Sequence, residues 1–313
     1  MKIEQLEELS LLLGTISIDD TGIIFRDRQY PVSGNNKLET LTAILYNECY
    51  AKKLVFQRGN SILPYQAPQD NEFIEKLSGA NYSASIENGW RVKAKLNLGQ
   101  LEVIKEDKTR TIKPYEYQPY NDAVNINDHI RVRQTLEDRS TQKGFYYAFS
   151  IEPFILAPTS VRVYWNVESD GAPLLLTAIT SLLNRYRLPF LFKCLDQPAL
   201  YSRRDCCVLY FEMKYFHVFK WLFPSIYKTI LGKIQSDVPL FTHAIAEGVG
   251  IAEHPLNNES FGMKMMKILS SAIIQIPSGE QINTERKIAY IETVFASAGV
   301  DLSSPFLNMS SKN

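Results

Sequence analysis

The stretch Ser160-Val161-Arg162-Val163-Tyr164-Trp165-Asn166-Val167 decides the fold. Side chains alternate across a strand, so Val161, Val163, Trp165 and Val167 share one face, and Arg162, Tyr164 and Asn166 share the other. The apolar set asks for a packed layer, and the polar set asks for water or a ligand. Working outward, residues 145–149, 190–195 and 207–211 read as further strands. Residues 174–187, 215–231, 261–274 and 284–298 carry the three- and four-residue periodicity of helices with one buried face. Strands and helices therefore mix through residues 141–313.

Residues 1–140 read differently. Leu6, Leu9, Leu11, Leu12 and Leu13 begin a helix that Gly14 ends. Ile16, Ile18, Ile23 and Phe25 flank the turn signal Asp20-Thr21-Gly22 and predict a hairpin. Leu41, Ile44, Leu45 and Cys49 lie on one face of a helix expected over residues 38–55. A looser stretch punctuated by Pro64 and Pro68 precedes a short helix around Phe73, Ile74 and Leu77. Residues 90–113 alternate, with Trp90, Val92, Ala94 and Leu96 opposite Arg91, Lys93 and Lys95, which predicts a β-meander with one wet face. Residues 114–139 are polar, with weak periodicity, and read as a linker or a long surface excursion. The whole is α+β: an N-terminal helix and meander region over residues 1–140, and an α+β domain over residues 141–313.

Composition narrows the function. The chain has 313 residues, 34 Lys and Arg against 34 Asp and Glu, and 45% hydrophobic residues. Zero net charge lacks the basic footprint of a nucleic-acid binder or a polybasic membrane protein. No apolar run approaches the ~20 residues of a membrane span. The start, Met1 to Glu8, is acidic and helix-forming where a cleavable export signal would be basic and then apolar. The expected setting is the cytoplasm. Cys49, Cys194, Cys206 and Cys207 show no metal or redox spacing and read as free buried thiols. His129, His217, His243 and His254 are scattered, so neither a metal nor another cofactor is expected.

Three places could carry chemistry. Lys193 interrupts the apolar run Phe190-Leu191-Phe192-Lys193-Cys194-Leu195. Burying an ammonium without a partner is costly, so Lys193 either snorkels at a strand end or points into a polar cavity. Arg203-Arg204-Asp205 at a strand entrance form either an anion clamp, with Asp205 orienting one arginine, or a surface ion pair. Gly248 and Gly250 lack a third glycine at dinucleotide spacing and instead mark a loop where backbone passes close to something. Ser260 stands where a helix begins, as an N-cap or beside backbone donors for an anion. There is no Gly-x-Ser-x-Gly elbow, phosphate-binding loop or kinase signature. These residues favour an anionic group recognised without ATP chemistry.

The same residues support a resemblance. Leu45 to Tyr50, Leu77-Ser78-Gly79-Ala80-Asn81, Gly89-Trp90-Arg91-Val92, Arg162-Val163-Tyr164 with Asn166, and Phe192-Lys193 carry it. So do Arg204-Asp205 with Val208-Leu209-Tyr210, Gly248 and Gly250 with Ala252-Glu253, Glu259-Ser260-Phe261-Gly262, and Gly299 to Leu307. In order and spacing the sequence resembles the HopA-type family of type III secretion effectors, whose relatives are similar to the lyase component of class V lanthipeptide biosynthesis. It departs from the pattern at His243, where Lys is more usual, at Glu247, and at Met263-Lys264. The resemblance implies elimination of phosphate from phosphoserine or phosphothreonine in a precursor peptide, beside a kinase-like partner. Lys193 is then the base, His243 the acid, and Asp205 the residue that orients an arginine. Arg162, Arg203 and Arg204 hold the phosphate, and Tyr164, Asn166 and Tyr210 contact the peptide. The alternatives are an effector-like protein that binds a host or bacterial protein without turnover, exported in that case, and a peptide carrier that takes up a strand at the meander edge.

Overall fold

The computed structural model describes residues 3–19, 22–32, 36–52, 68–257, 259–276 and 283–312. The fold is α+β, built from antiparallel sheets and helices. The central element is a seven-stranded sheet in the order β14-β15-β11-β13-β12-β10-β9. Its strands are β9 (Glu137–Asp138), β10 (Phe145–Phe149), β11 (Ser160–Trp165), β12 (Leu191–Leu195), β13 (Cys207–Glu212), β14 (His243–Ala246) and β15 (Val249–Glu253).

The register of this sheet sorts its side chains onto two faces, because directly paired residues project the same way. On one face Phe192 pairs with Leu209, Leu209 with Val163, and Cys194 with Cys207. These residues, with Val161, Trp165 and Phe211, join one apolar core with α3 (Asn71–Ala80), α4 (Gly171–Arg185) and α5 (Phe216–Lys228). On the other face Tyr147 pairs with Lys193, Lys193 with Val208, Val208 with Tyr164, and Tyr210 with Arg162. Tyr164, Val208 and Ala252 join a second core with α1 (Ile3–Gly14), α2 (Lys37–Leu45), α6 (Phe261–Gln275) and α7 (Thr284–Ser297). That core runs from Leu9 to Leu302, so it draws on both sides of residue 140.

Local chemistry sets the helix starts. Asp70 caps α3 by accepting from Phe73 N at 3.0 Å, and Asn283 caps α7 by accepting from Arg286 N at 3.0 Å. The expected helix over residues 38–55 is α2, whose final turn widens to a π-helix over Tyr46–Tyr50; residues 53–55 lie outside the described residues.

The expected hairpin pairs Ile16 with Phe25 and Ile18 with Ile23, as β1 (Ile16–Ile18) and β2 (Gly22–Phe25), and β3 (Arg28–Pro31) adds a third strand. Two of its turn residues, Asp20 and Thr21, lie outside the described residues, as does Pro64.

Two expectations need correction. Residues 114–139 are not a linker: β7 (Tyr117–Pro119) and β8 (His129–Thr135) pair into the meander, and β8 lies between β4 (Ala84–Lys95) and β7. The other strands of that sheet are β5 (Leu101–Lys105) and β6 (Lys108–Ile112). Only Ile130 and Val132 of β8 enter its small core, too few to register as alternation in the sequence. The loop expected at Gly248 and Gly250 is confined to the turn of the hairpin β14–β15, and Gly250 lies in β15 itself. Gly248 forms that turn at φ 65°, with Gln235 O only 2.1 Å from where a Cβ would stand, so backbone does pass close there.

Candidate functional site

The polar face of the sheet gathers cationic and phenolic side chains. Arg162 lies in β11, an interior strand between β15 and β13, and is only 5% exposed. Its Nε and Nη2 donate to Nδ1 of His254 at 3.0 and 2.8 Å, and Nη2 donates to the Glu259 carbonyl at 2.8 Å. A guanidinium has no lone pair to offer, so Nδ1 must accept and the ring hydrogen of His254 sits on Nε2. The guanidinium also lies 5.5 Å from the Tyr210 ring centroid. Every one of these partners is uncharged. A buried guanidinium whose hydrogen bonds go to an imidazole and a carbonyl, with no carboxylate partner among the described residues, carries uncompensated charge there.

Lys193 is half-buried two strands away on the same face. Its Nζ donates to Gln142 Oε1 at 2.8 Å and stands 3.6 Å over the Phe145 ring. Burial pulls its pKa down to about 8; Asp205 opposes the fall, and Arg162 and Arg203 add to it. An amine poised near neutrality is a usable base. The sequence alternative of a snorkelling end residue is the weaker one, since Lys193 sits mid-strand between Phe192 and Cys194.

Arg203 and Asp205 complete the cluster. Arg203 is buried and donates from Nε and Nη2 to Asp205 Oδ1 and Oδ2 at 2.9 and 3.0 Å. Asp205 Oδ2 also accepts from the Tyr46 hydroxyl at 3.2 Å, and the Arg203 guanidinium lies 5.5 Å from the Tyr46 ring centroid. Asp205 thus holds an arginine in place, as the sequence implied. Burial raises the pKa of both Tyr46 and Tyr210, and both stay protonated donors.

Three expected residues lie elsewhere. Arg204, next to Arg203, turns the other way: its guanidinium binds Glu8 at 2.6 Å, the Cys49 carbonyl at 2.8 Å, the Val238 carbonyl at 3.0 Å and the Lys52 carbonyl. It ties α1 and the end of α2 to the sheet and does not line the pocket. His243 pairs with Ile251, which pairs with Val163, so its row belongs to the apolar face opposite Lys193. Its ring stacks on Phe306 with centroids 4.7 Å apart. No strand was expected over residues 243–246, so the sequence offered no face on which to place His243. Asn166 is buried and donates to the Asp237 carbonyl at 2.9 Å, which makes it a clamp for the 235–238 segment. Tyr164 is buried between Tyr50 and Phe261, and Tyr210 is half-buried beside Arg162.

The structure also adds residues that sequence reasoning passed over. Tyr46 and Tyr50, four apart, stack with centroids 5.4 Å apart at the end of α2, Tyr46 against Arg203 and Asp205 and Tyr50 against Tyr164. Their spacing carried a signal, but it reads equally as a core face. His254 had no local signal at all, because only folding brings it to Arg162. No group of His, Cys, Asp and Glu among the described residues is arranged to hold a metal ion, and the four cysteines are buried and free.

Residues 136–307 match the model of the HopA1 effector protein family. The chain belongs to this family. The matched span contains Arg162, Lys193, Arg203 and Asp205, while Tyr46 and Tyr50 lie outside it. The fold is similar to that of the effector protein from Pseudomonas syringae pv. tomato strain DC3000, at 13% identity and a TM-score of 0.53, over 98% of this chain and 96% of that one. The effector protein from Pseudomonas syringae pv. syringae strain 61 matches at 15% identity and a TM-score of 0.49, over 87% and 94% of the two chains. A comparison with curated proteins returns no match. At 13% identity the first of these carries the architecture alone, and no chemistry comes with it.

Proposed function

We propose that this chain is a phosphoserine/phosphothreonine lyase acting on a peptide, and that the pocket around Arg162 and Lys193 is its active site. The observation that carries the reading is the buried, uncompensated Arg162 on the same sheet face as an amine whose pKa has fallen to about 8. A dianionic phosphate would supply the missing charge, and the amine would supply the base.

In the reaction Lys193 Nζ takes the α-proton of the phosphorylated residue. The Cα–H electron pair forms the Cα=Cβ bond, the Cβ–O bond breaks, and phosphate leaves with the Cβ–O pair and takes up a proton from solvent. The products are dehydroalanine or dehydrobutyrine. Arg162 and Arg203 face the charge that grows on the departing group, and preorganised donors of this kind stabilise a transition state strongly. No metal or cofactor takes part in this scheme. A phosphorylated substrate implies a kinase-type activity acting before it. No described helix is long and apolar enough to cross a membrane.

The test is incubation of the full chain with a phosphothreonine peptide, followed by mass spectrometry. Loss of phosphoric acid with gain of an alkene is the expected result. Tight binding without mass loss across pH 6 to 9 would sink the lyase reading in favour of a binding effector.

A further inference from the structure

We infer that a phosphate oxygen of the ligand is received beside Arg162 by Tyr50 Oη and by the free backbone N–H groups at the start of α6. This rests on the pocket reading above and assigns donors to it that neither the motifs nor the arginines reveal.

Tyr50 is 1% exposed, yet its hydroxyl makes no hydrogen bond of good geometry among the described residues; the neighbouring Tyr164 hydroxyl offers it at most a poorly aligned contact. A buried donor left unmade costs about 1–3 kcal/mol, so its persistence in a pocket calls for a partner that arrives from outside. Burial first, and then the nearby Tyr164 and Asp205, hold the proton on this phenol. It therefore remains a donor wherever the protein is folded.

The hydroxyl-bearing edge of the ring lies against the N-terminus of α6. A Cβ on Gly262 would stand 2.4 Å from Tyr50 Cε1 and 2.6 Å from Cζ. Only a residue without a side chain lets the ring and the helix start approach this closely. The same helix start lacks its cap, since Ser260 makes no side-chain hydrogen bond to it. Its first backbone bond runs from Lys264 N to Ser260 O at 2.9 Å, which leaves the earlier N–H groups unpaired among the described residues. Those groups and the helix dipole favour an anion. The residue before the cap, Glu259, offers its carbonyl to Arg162. Arg162, the uncapped helix and the orphan phenol thus meet at one place, and each lacks what a phosphate oxygen provides. The π-turn over Tyr46–Tyr50 is the backbone feature that carries Tyr50 to it, and such turns recur at functional sites.

The experiment is calorimetric titration of the full chain with inorganic phosphate and with a phosphothreonine peptide, for wild type and Tyr50→Phe, with thermal melts of both. The expected result is roughly tenfold weaker binding of both ligands by Tyr50→Phe, the loss of one hydrogen bond to a charged acceptor, with a melting temperature unchanged or raised. A structural role predicts the reverse pattern: a lower melting temperature and unchanged affinity. Wild-type affinity in the variant, or no phosphate binding by wild type, overturns the inference. Binding that depends on Tyr50 without any peptide mass loss leaves it standing and removes only the lyase chemistry.

Discussion

The two faces of the central sheet are made by the same strands and do opposite work. Phe192 and Lys193 are neighbours in β12. Phe192 enters the core with α4 and α5, while Lys193 stands with Arg162 and Tyr210 over a polar pocket. One face is closed by dispersion and the hydrophobic effect, which need no partner from outside. The other joins a second apolar core through Tyr164, Val208 and Ala252, and among these residues it also carries Arg162 on uncharged supports and Arg203 on Asp205; on the proposed reading an anion completes it. Stability and binding are thereby assigned to alternate residues of single strands.

The sharpest way to break this contrast is to mutate the two neighbours. Lys193→Met should lower turnover of a phosphothreonine peptide by about 10²–10⁴-fold, the usual worth of a positioned base. It should also raise stability at pH 7. The folded pKa of about 8 lies below the reference value of ~10.4, so the charged amine disfavours the fold below pH 8, and the penalty fades as pH rises toward 10. Wild type should therefore gain stability between pH 8 and 10, and the Met variant should not. Phe192→Ala should cost about 3–5 kcal/mol in denaturant unfolding instead. A destabilised Lys193→Met would mean that the polar face is ordinary core.

A second comparison separates Arg203 from Arg204. Arg204→Met strands Glu8 and three backbone carbonyls and should cost about 3–5 kcal/mol, with phosphate affinity kept by the molecules that fold. Arg203→Met should weaken phosphate binding. Equal effects of the two on affinity would put Arg204 back in the pocket.

The smallest effect is the pH profile. The free enzyme's kcat/KM should rise by about tenfold per pH unit and level off near pH 8, as Lys193 loses its proton. A flat profile from pH 6 to 8 would argue that Lys193 is not the base.

Much of this was legible beforehand, for reasons that can be named. Val161, Val163 and Trp165 alternate strictly with Arg162 and Tyr164, so β11 and its two-sided character could be read directly. Lys193 stood out because a charge in an apolar run has few physical explanations. Arg203 and Arg204 could not be told apart, because adjacency says nothing about which way a loop residue turns. His243 was misplaced for a related reason: residue type was read without the register that fixes its face. Tyr50 looked like any aromatic on an amphipathic helix, and only the lack of a well-formed hydrogen bond at its buried hydroxyl distinguishes it.

What the sequence by itself determined are the strongly periodic elements, β11, β12 and the long helices, and their buried faces, since periodicity is a local property that each segment carries alone. Which polar side chains meet was decided by the tertiary structure. Arg162 and His254 are ninety-two residues apart and Arg204 and Glu8 one hundred and ninety-six, and no local pattern encodes contacts at that range. The reason is energetic: packing the apolar faces fixes the strand order first, and the polar groups then take whatever partners that order leaves within reach.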